Sequence, residues 1–114
     1  MGRNIRQLIF DFHTNQNEIS DGKELSISSN MVNMIIAVTG NAEGFKLIPE
    51  VKSNDTDTYT AVGVVNVGTY DISSMITAIG KYKMELEGYT KCRIRLQKLG
   101  TGTGTLSVRG TITD

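Results

Sequence analysis

The chain has 114 residues, long enough to bury a core without disulfide or metal staples. Its 12 basic and 12 acidic residues balance, which argues against a nucleic-acid surface built on bulk charge. A single cysteine, Cys92, rules out an intramolecular disulfide, so the fold does not depend on an oxidising compartment.

The amino-terminal MGRNIRQLIFDF has only a short apolar run, no signal-peptide core and no membrane span. Gly2 is not followed by a myristoylation motif, because Arg6 stands where Ser or Thr is required. The expectation is a soluble protein made without a cleaved leader. Gly and Thr abound, Trp is absent, and β-branched residues dominate the apolar set, which predicts strands over helices.

The first predicted strand is Ile5 to Phe12, with Leu8, Phe10 and Phe12 on one face and Ile5 and Ile9 on the other. After the Asp21-Gly22 turn signal, Lys23 to Ser28 points Leu25 and Ile27 one way. Met31 to Thr39 is nearly continuous apolar sequence and reads as a central strand covered on both faces. Following the Gly40-to-Gly44 loop, Phe45, Leu47 and Val51 alternate with Lys46 and Glu50, while Pro49 pushes this strand toward a sheet edge. Ser53 to Thr58 is a polar turn. Tyr59 to Val67 reads as one strand with a bulge or close approach at Gly63.

Residues 71–79 break the rhythm. Ile72, Met75, Ile76 and Ile79 fall on one helical stripe, with Asp71 placed to cap and Gly80 to stop it. A short helix and an irregular strand are the two readings left open there.

The closing third contains three alternating runs, KYKMELE, KCRIRLQKL and TLSVRGTIT, separated by Gly88-Tyr89-Thr90 and by GTGTGT. If the first two form a hairpin with a three-residue loop, Glu87 faces Lys91 and Glu85 faces Arg93 while both apolar sets stay inside. Such surface pairs are worth about 0.2–1 kcal/mol each and set register more than stability. The inventory of about eight strands predicts one domain over residues 1–114, an all-β antiparallel β-sandwich of jelly-roll-like or Greek-key type.

Chemistry is sparse. His13 is the only histidine and has no second His, Cys pair or Ser-His-Asp set around it, so it reads as a surface or strand-end residue. Asn54, Asp55 and Asp57 have a calcium-like spacing but lack the turn Gly and distal Glu of an EF-hand, which favours a solvated hairpin turn. GTGTGT lacks the Lys-Ser/Thr ending of a phosphate loop. Lys91, Arg93, Arg95, Lys98 and Arg109 read as a basic stripe on neighbouring strands, partly neutralised by Glu85 and Glu87 and without aromatics for base stacking. The methionines and the MVNMIIAV run suit a core or an oligomer interface. No cofactor, metal ligand set or catalytic residue is expected, so the chain reads as a non-enzyme.

One resemblance rests on the stretch from Gly80 to Asp114. A Gly-aromatic strand entry (Gly80, Tyr82), a Gly88-Tyr89 turn, the Arg93-Ile94-Arg95 strand, Gly104 in the loop and the Val108-x-Gly110 strand are its motifs. This pattern resembles small β-sandwich virion proteins of tailed bacteriophages, of the capsid-decoration, head-fibre and adhesin types. The resemblance implies a non-enzymatic protein that stabilises a capsid by surface contacts, with capsid or other virion proteins as partners. It also implies a homo-oligomer, a trimer being favoured, located in the virion after assembly in the bacterial cytoplasm, with neither membrane nor nucleic acid as partner. Expected contact residues are Tyr89, Gly100, Thr101, Gly102 and Thr103, with the amino-terminal arm. The alternative is a carbohydrate-binding or host-adhesion module of a tail or head fibre, with Tyr89 as the exposed ring.

Overall fold

The strands follow in chain order as β1 (Gln7–Gln16), β2 (Leu25–Ser26), β3 (Asn33–Gly40), β4 (Lys46–Lys52), β5 (Thr60–Ala61), β6 (Val64–Asn66), β7 (Ile72–Ser73), β8 (Gly80–Glu85), β9 (Lys91–Lys98) and β10 (Leu106–Thr113). They come from a computed structural model that describes residues 7–100, 102 and 104–113. A six-stranded sheet has the order β1-β10-β3-β8-β6-β7 and a four-stranded sheet the order β2-β9-β4-β5. Every pairing is antiparallel. The all-β sandwich expected from the alternation is therefore what the chain forms.

The period-2 pattern does the sorting. Met34, Ile36 and Val38 of β3, Tyr82 and Met84 of β8, and Val108 and Ile112 of β10 point inward from the larger sheet. Leu47 and Val51 of β4 and Cys92, Ile94 and Leu96 of β9 point inward from the smaller one, and both sets join one buried cluster. On β1 a bulge between Asp11 and His13 puts Phe12 and His13 both inside, against the strict alternation.

The expected β8–β9 hairpin does not form. β8 pairs with β3 and β6, whereas β9 pairs with β2 and β4, so the 86–90 segment arches from one sheet to the other. Leu86 N–H donates to Val32 O (2.7 Å) on the larger sheet, and Thr90 N–H donates to Lys52 O (2.8 Å) on the smaller. Glu85 consequently lies opposite Asn33, and Arg93 opposite Glu50. Both arrangements keep the apolar sets inside, but the arch lets them cover each other across the sandwich.

Residues 71–79 form no helix. Ile72 pairs with Val65, and Ile76 exchanges both backbone hydrogen bonds with Leu47 at 2.9 Å, so the sheets already satisfy this backbone. Of the predicted stripe only Ile76 is buried, while Ile72, Met75 and Ile79 are exposed. Nor is Tyr59 to Val67 one strand. Its first part is β5 in the smaller sheet and its last part β6 in the larger, so Gly63 marks a crossing between sheets. β3 is central but covered on one face only, leaving Ile35 outside. Pro49 lies on an inner strand, one from the edge. Its carbonyl accepts from Val62 N–H (2.9 Å), so the one bond its missing N–H forgoes lies at the end of the short β5 ladder.

Gly110 shows how tightly the larger sheet is packed. A Cβ there would sit 2.4 Å from Met34 Sδ and 2.8 Å from Phe12 Cε2. Gly110→Ala is expected to destabilise the fold by about 1–3 kcal/mol through overpacking. A urea midpoint lowered at constant m is the confirming result.

Candidate functional site

The loops singled out by sequence sit at opposite ends of β9. Tyr89 precedes it and Gly100 follows it, and eight strand residues place them roughly 26 Å apart. Tyr89 is half-buried and packs on the core. Gly100 N–H donates to Glu43 O (3.0 Å), and a Cβ on Gly100 would lie 2.5 Å from that oxygen. Gly104 likewise abuts Ala42, whose Cα a Cβ would meet at 2.6 Å. These glycines are explained by close backbone approach to the 41–44 loop. A polar cavity of about 250 Å³ lies between the two loops, lined by Asn17, Asn41, Glu43, Leu99 and Gly102 among others. Thr101, Thr103 and the amino-terminal arm before Gln7 lie outside the described residues.

The basic stripe is divided between the two sheets. Arg109 stands on β10 and donates to Asp11 of β1 (Nε to Oδ1, 2.7 Å), a hydrogen bond that holds the Asp11 carboxyl below its usual range. Arg93 and Arg95 of β9 both donate through Nε to Glu50 Oε1, at 2.8 and 3.2 Å. Glu50 is 7% exposed, and Arg93 also reaches Asp21 at 3.4 Å. Glu50, and not Glu85 or Glu87, is thus the counter-charge of the Arg-x-Arg strand.

Tyr59 roofs this network. The Arg93 guanidinium lies 4.0 Å from its ring centroid and Lys52 Nζ 4.8 Å. The Tyr59 hydroxyl donates to Glu24. Burial, then the bond to Glu24, pushes the phenol pKa up, and the same bond lowers that of Glu24. The outer face of the smaller sheet thus carries a linked network of ion pairs and hydrogen bonds around Glu50 and Arg93.

The outer face of the larger sheet differs. Ile9, Thr111, Ile35, Lys83, Val65 and Ile72 stand side by side across six strands. A shallow cavity of about 370 Å³ opens beside this row, lined by Asp11, Thr14, Ala37, Thr39, Ser107 and Arg109 together with His13. At the β6–β7 turn, Tyr70 is 79% exposed. Sequence reasoning passed over it because a lone Tyr between Thr69 and Asp71 carries no periodic signal.

Two reactive side chains are sequestered. His13 is buried, contrary to its expected surface position, and its Nε2–H donates to Ile94 O (2.6 Å). Cys92 is buried, and desolvation pushes its thiol up to about 12. Among the described residues no three His, Cys, Asp or Glu side chains gather as a metal site. Asn54 and Asp57 accept hydrogen bonds from Ser53, Thr56 and Thr58 and so brace their own turn.

No family model matches the chain, and no curated protein matches it in sequence. Solved structures do. The SPBc2 prophage-derived protein YomS superposes with a TM-score of 0.87 at 16% identity, over 100% of this chain and 98% of YomS. The PBSX exported protein XepA superposes with a TM-score of 0.89 at 22% identity, over 100% of this chain and 40% of XepA. The fold is therefore shared with phage-derived proteins, over nearly all of YomS and over less than half of XepA.

Glu50→Gln keeps the shape but leaves Arg93 and Arg95 without their shared charge. The expected loss is about 1–3 kcal/mol in urea unfolding, against a change within about 0.5 kcal/mol for Glu85→Gln. The Cys92 shift also sets a pH dependence. The unfolded thiol ionises near 9 and the folded one near 12, so this contribution is constant below pH 9 and stability falls as pH rises between these values. Cys92→Ser should lessen that alkaline loss in a comparison of urea midpoints at neutral and alkaline pH.

Proposed function

We propose that this chain is a non-enzymatic structural protein of a phage particle, which docks on the capsid or another virion protein and stabilises it by surface burial. The observation that carries this reading is the fold shared over the full chain with phage-derived proteins. The disposition of reactive groups agrees with it: His13 and Cys92 are built into the core, and the carboxylates at Asp11 and Glu50 are committed to arginines. What the surface does offer is area. The outer face of the six-stranded sheet and the loops at the ends of β9 are the elements through which such a protein would act.

Mass spectrometry of purified particles provides the test. The protein is expected in the particle fraction, and added to particles that lack it, it should bind and raise their melting temperature. Its absence from particles together with failure to bind them would overturn the proposal.

A further inference from the structure

A sheet that faces water on one side ordinarily alternates apolar-in with polar-out. The outer face of the six-stranded sheet departs from this along its middle. Four of the six residues in its central row, Ile9, Ile35, Val65 and Ile72, are branched aliphatics, and Ile72 is 77% exposed. Val67, whose N–H donates to Lys81 O (3.0 Å), and the exposed Ile79 extend the apolar surface beside β8.

At one edge the β6–β7 turn is braced to present an aromatic ring. Asn66 Oδ1 accepts from the N–H groups of Gly68 and Thr69, at 2.8 and 3.1 Å. Asn66 O accepts from Tyr70 N–H (2.7 Å), and Asp71 O accepts from Asn66 N–H (2.8 Å). Tyr70 is held at φ 64°, a left-handed conformation that costs a bulky residue on the order of 1 kcal/mol or more. An exposed tyrosine on a braced turn is a suitable anchor for a protein contact.

Size and charge choose the occupant. Strands about 4.8 Å apart and outward rows about 7 Å apart give this face an area on the order of 600 Å². That is close to the lower limit of about 600 Å² per partner for a specific interface. Asp11 and Arg109 neutralise each other within one copy. The other charges of the face, Lys81, Lys83 and Glu85, carry both signs and form no ion pair among the described residues. A partner surface of one sign would leave one set unanswered, whereas a second copy offers lysines to Glu85 and a carboxylate to the lysines.

We propose that the outer face of the six-stranded sheet, with Tyr70 and Ile72 at its β7 edge, is an interface between copies of this chain. The interface does not require the particle role, and the two fail separately, one in the mass of the free protein and the other in particle binding.

Light scattering coupled to size exclusion, from dilute to concentrated solution, tests it on the full chain. The wild type is expected at a multiple of the chain mass, and Ile35→Lys and Ile72→Asp at the monomer mass, with the urea midpoint that the wild type approaches on dilution. Should Ile35→Lys fail to fold, Ile35→Thr and Tyr70→Ser replace it, Tyr70→Ser weakening association by about tenfold or more. Because Cys92 is buried, an Ile35→Cys variant places one accessible thiol on the face, and oxidation should link copies through it. A wild type that is monomeric at every concentration would overturn the proposal. So would an oligomer whose mass ignores these substitutions, since it would assemble through another surface.

Discussion

Leu86, just past β8, and Cys92, Ile94 and Leu96 on β9 are fully buried in one core, yet β8 and β9 belong to different sheets. Burying these apolar faces against each other across the sandwich is the constraint on which the architecture depends. The chain meets it by changing sheet at six of its nine strand connections. β1 to β2, β2 to β3, β3 to β4, β5 to β6, β8 to β9 and β9 to β10 all cross between layers. Ladder partners therefore come from far along the chain, as β1 with β10 and β4 with β9 do. No long strand can be formed from local sequence alone, which makes the loop-closure entropy of distant pairings the main obstacle to folding.

The same constraint explains why a histidine is built into the core. On the β2 side of β9, Cys92 pairs with Leu25, and Leu96 exchanges hydrogen bonds with Ser20. Between these two points the chain bows away through Asp21 and Gly22, so Ile94 O has no strand partner. His13, turned inward by the β1 bulge, supplies the missing donor from the opposite sheet. Its acceptor is a carbonyl, so Nε2 carries the proton. Gly22 makes room for the ring: it takes φ 76°, and a Cβ there would sit 2.8 Å from both Cε1 and Nε2 of His13. A bulge, a left-handed glycine and one imidazole thus close a gap in the smaller sheet's ladder.

Periodicity was a good guide to which side chains turn inward. Leu25, Tyr82, Met84, Cys92, Ile94 and Leu96 are all buried as their alternation requires. It was a poor guide to which strands lie side by side, because inward and outward sets are the same for a hairpin and for an arch. Alternation therefore allows Glu85 to face Arg93, although Glu50, far away along the chain, is the residue that does. The helical stripe at residues 72–79 leaves helix and irregular strand undecided for a similar reason: the backbone bonds to Leu47 and Val65 that decide for the extended form appear only in three dimensions. For the candidate surfaces, Gly100 and Gly104 were legible as a special loop, but their close approach to residues 42–43 was not. Tyr70 left no trace, since exposure and a left-handed φ have no period.

The two outer faces of this sandwich are chemically opposite, and that difference bears on how the molecule meets other surfaces. On the smaller sheet, β4 is covered on both sides. Glu50 is enclosed by Arg93 and Arg95, Tyr59 lies over Arg93, Asp21 pairs with Arg93 and Glu24 accepts from the Tyr59 hydroxyl. Docking there would have to desolvate charges already well placed, which rarely repays its cost. The larger sheet presents aliphatics along its central row, and the residues flanking them are short or charged with both signs. Removing that face from water gains hydrophobic free energy without breaking an existing network, apart from the exposed Asp11–Arg109 pair at one margin. The charge network on one face leaves the other as the direction in which this fold can bury more surface at lower desolvation cost.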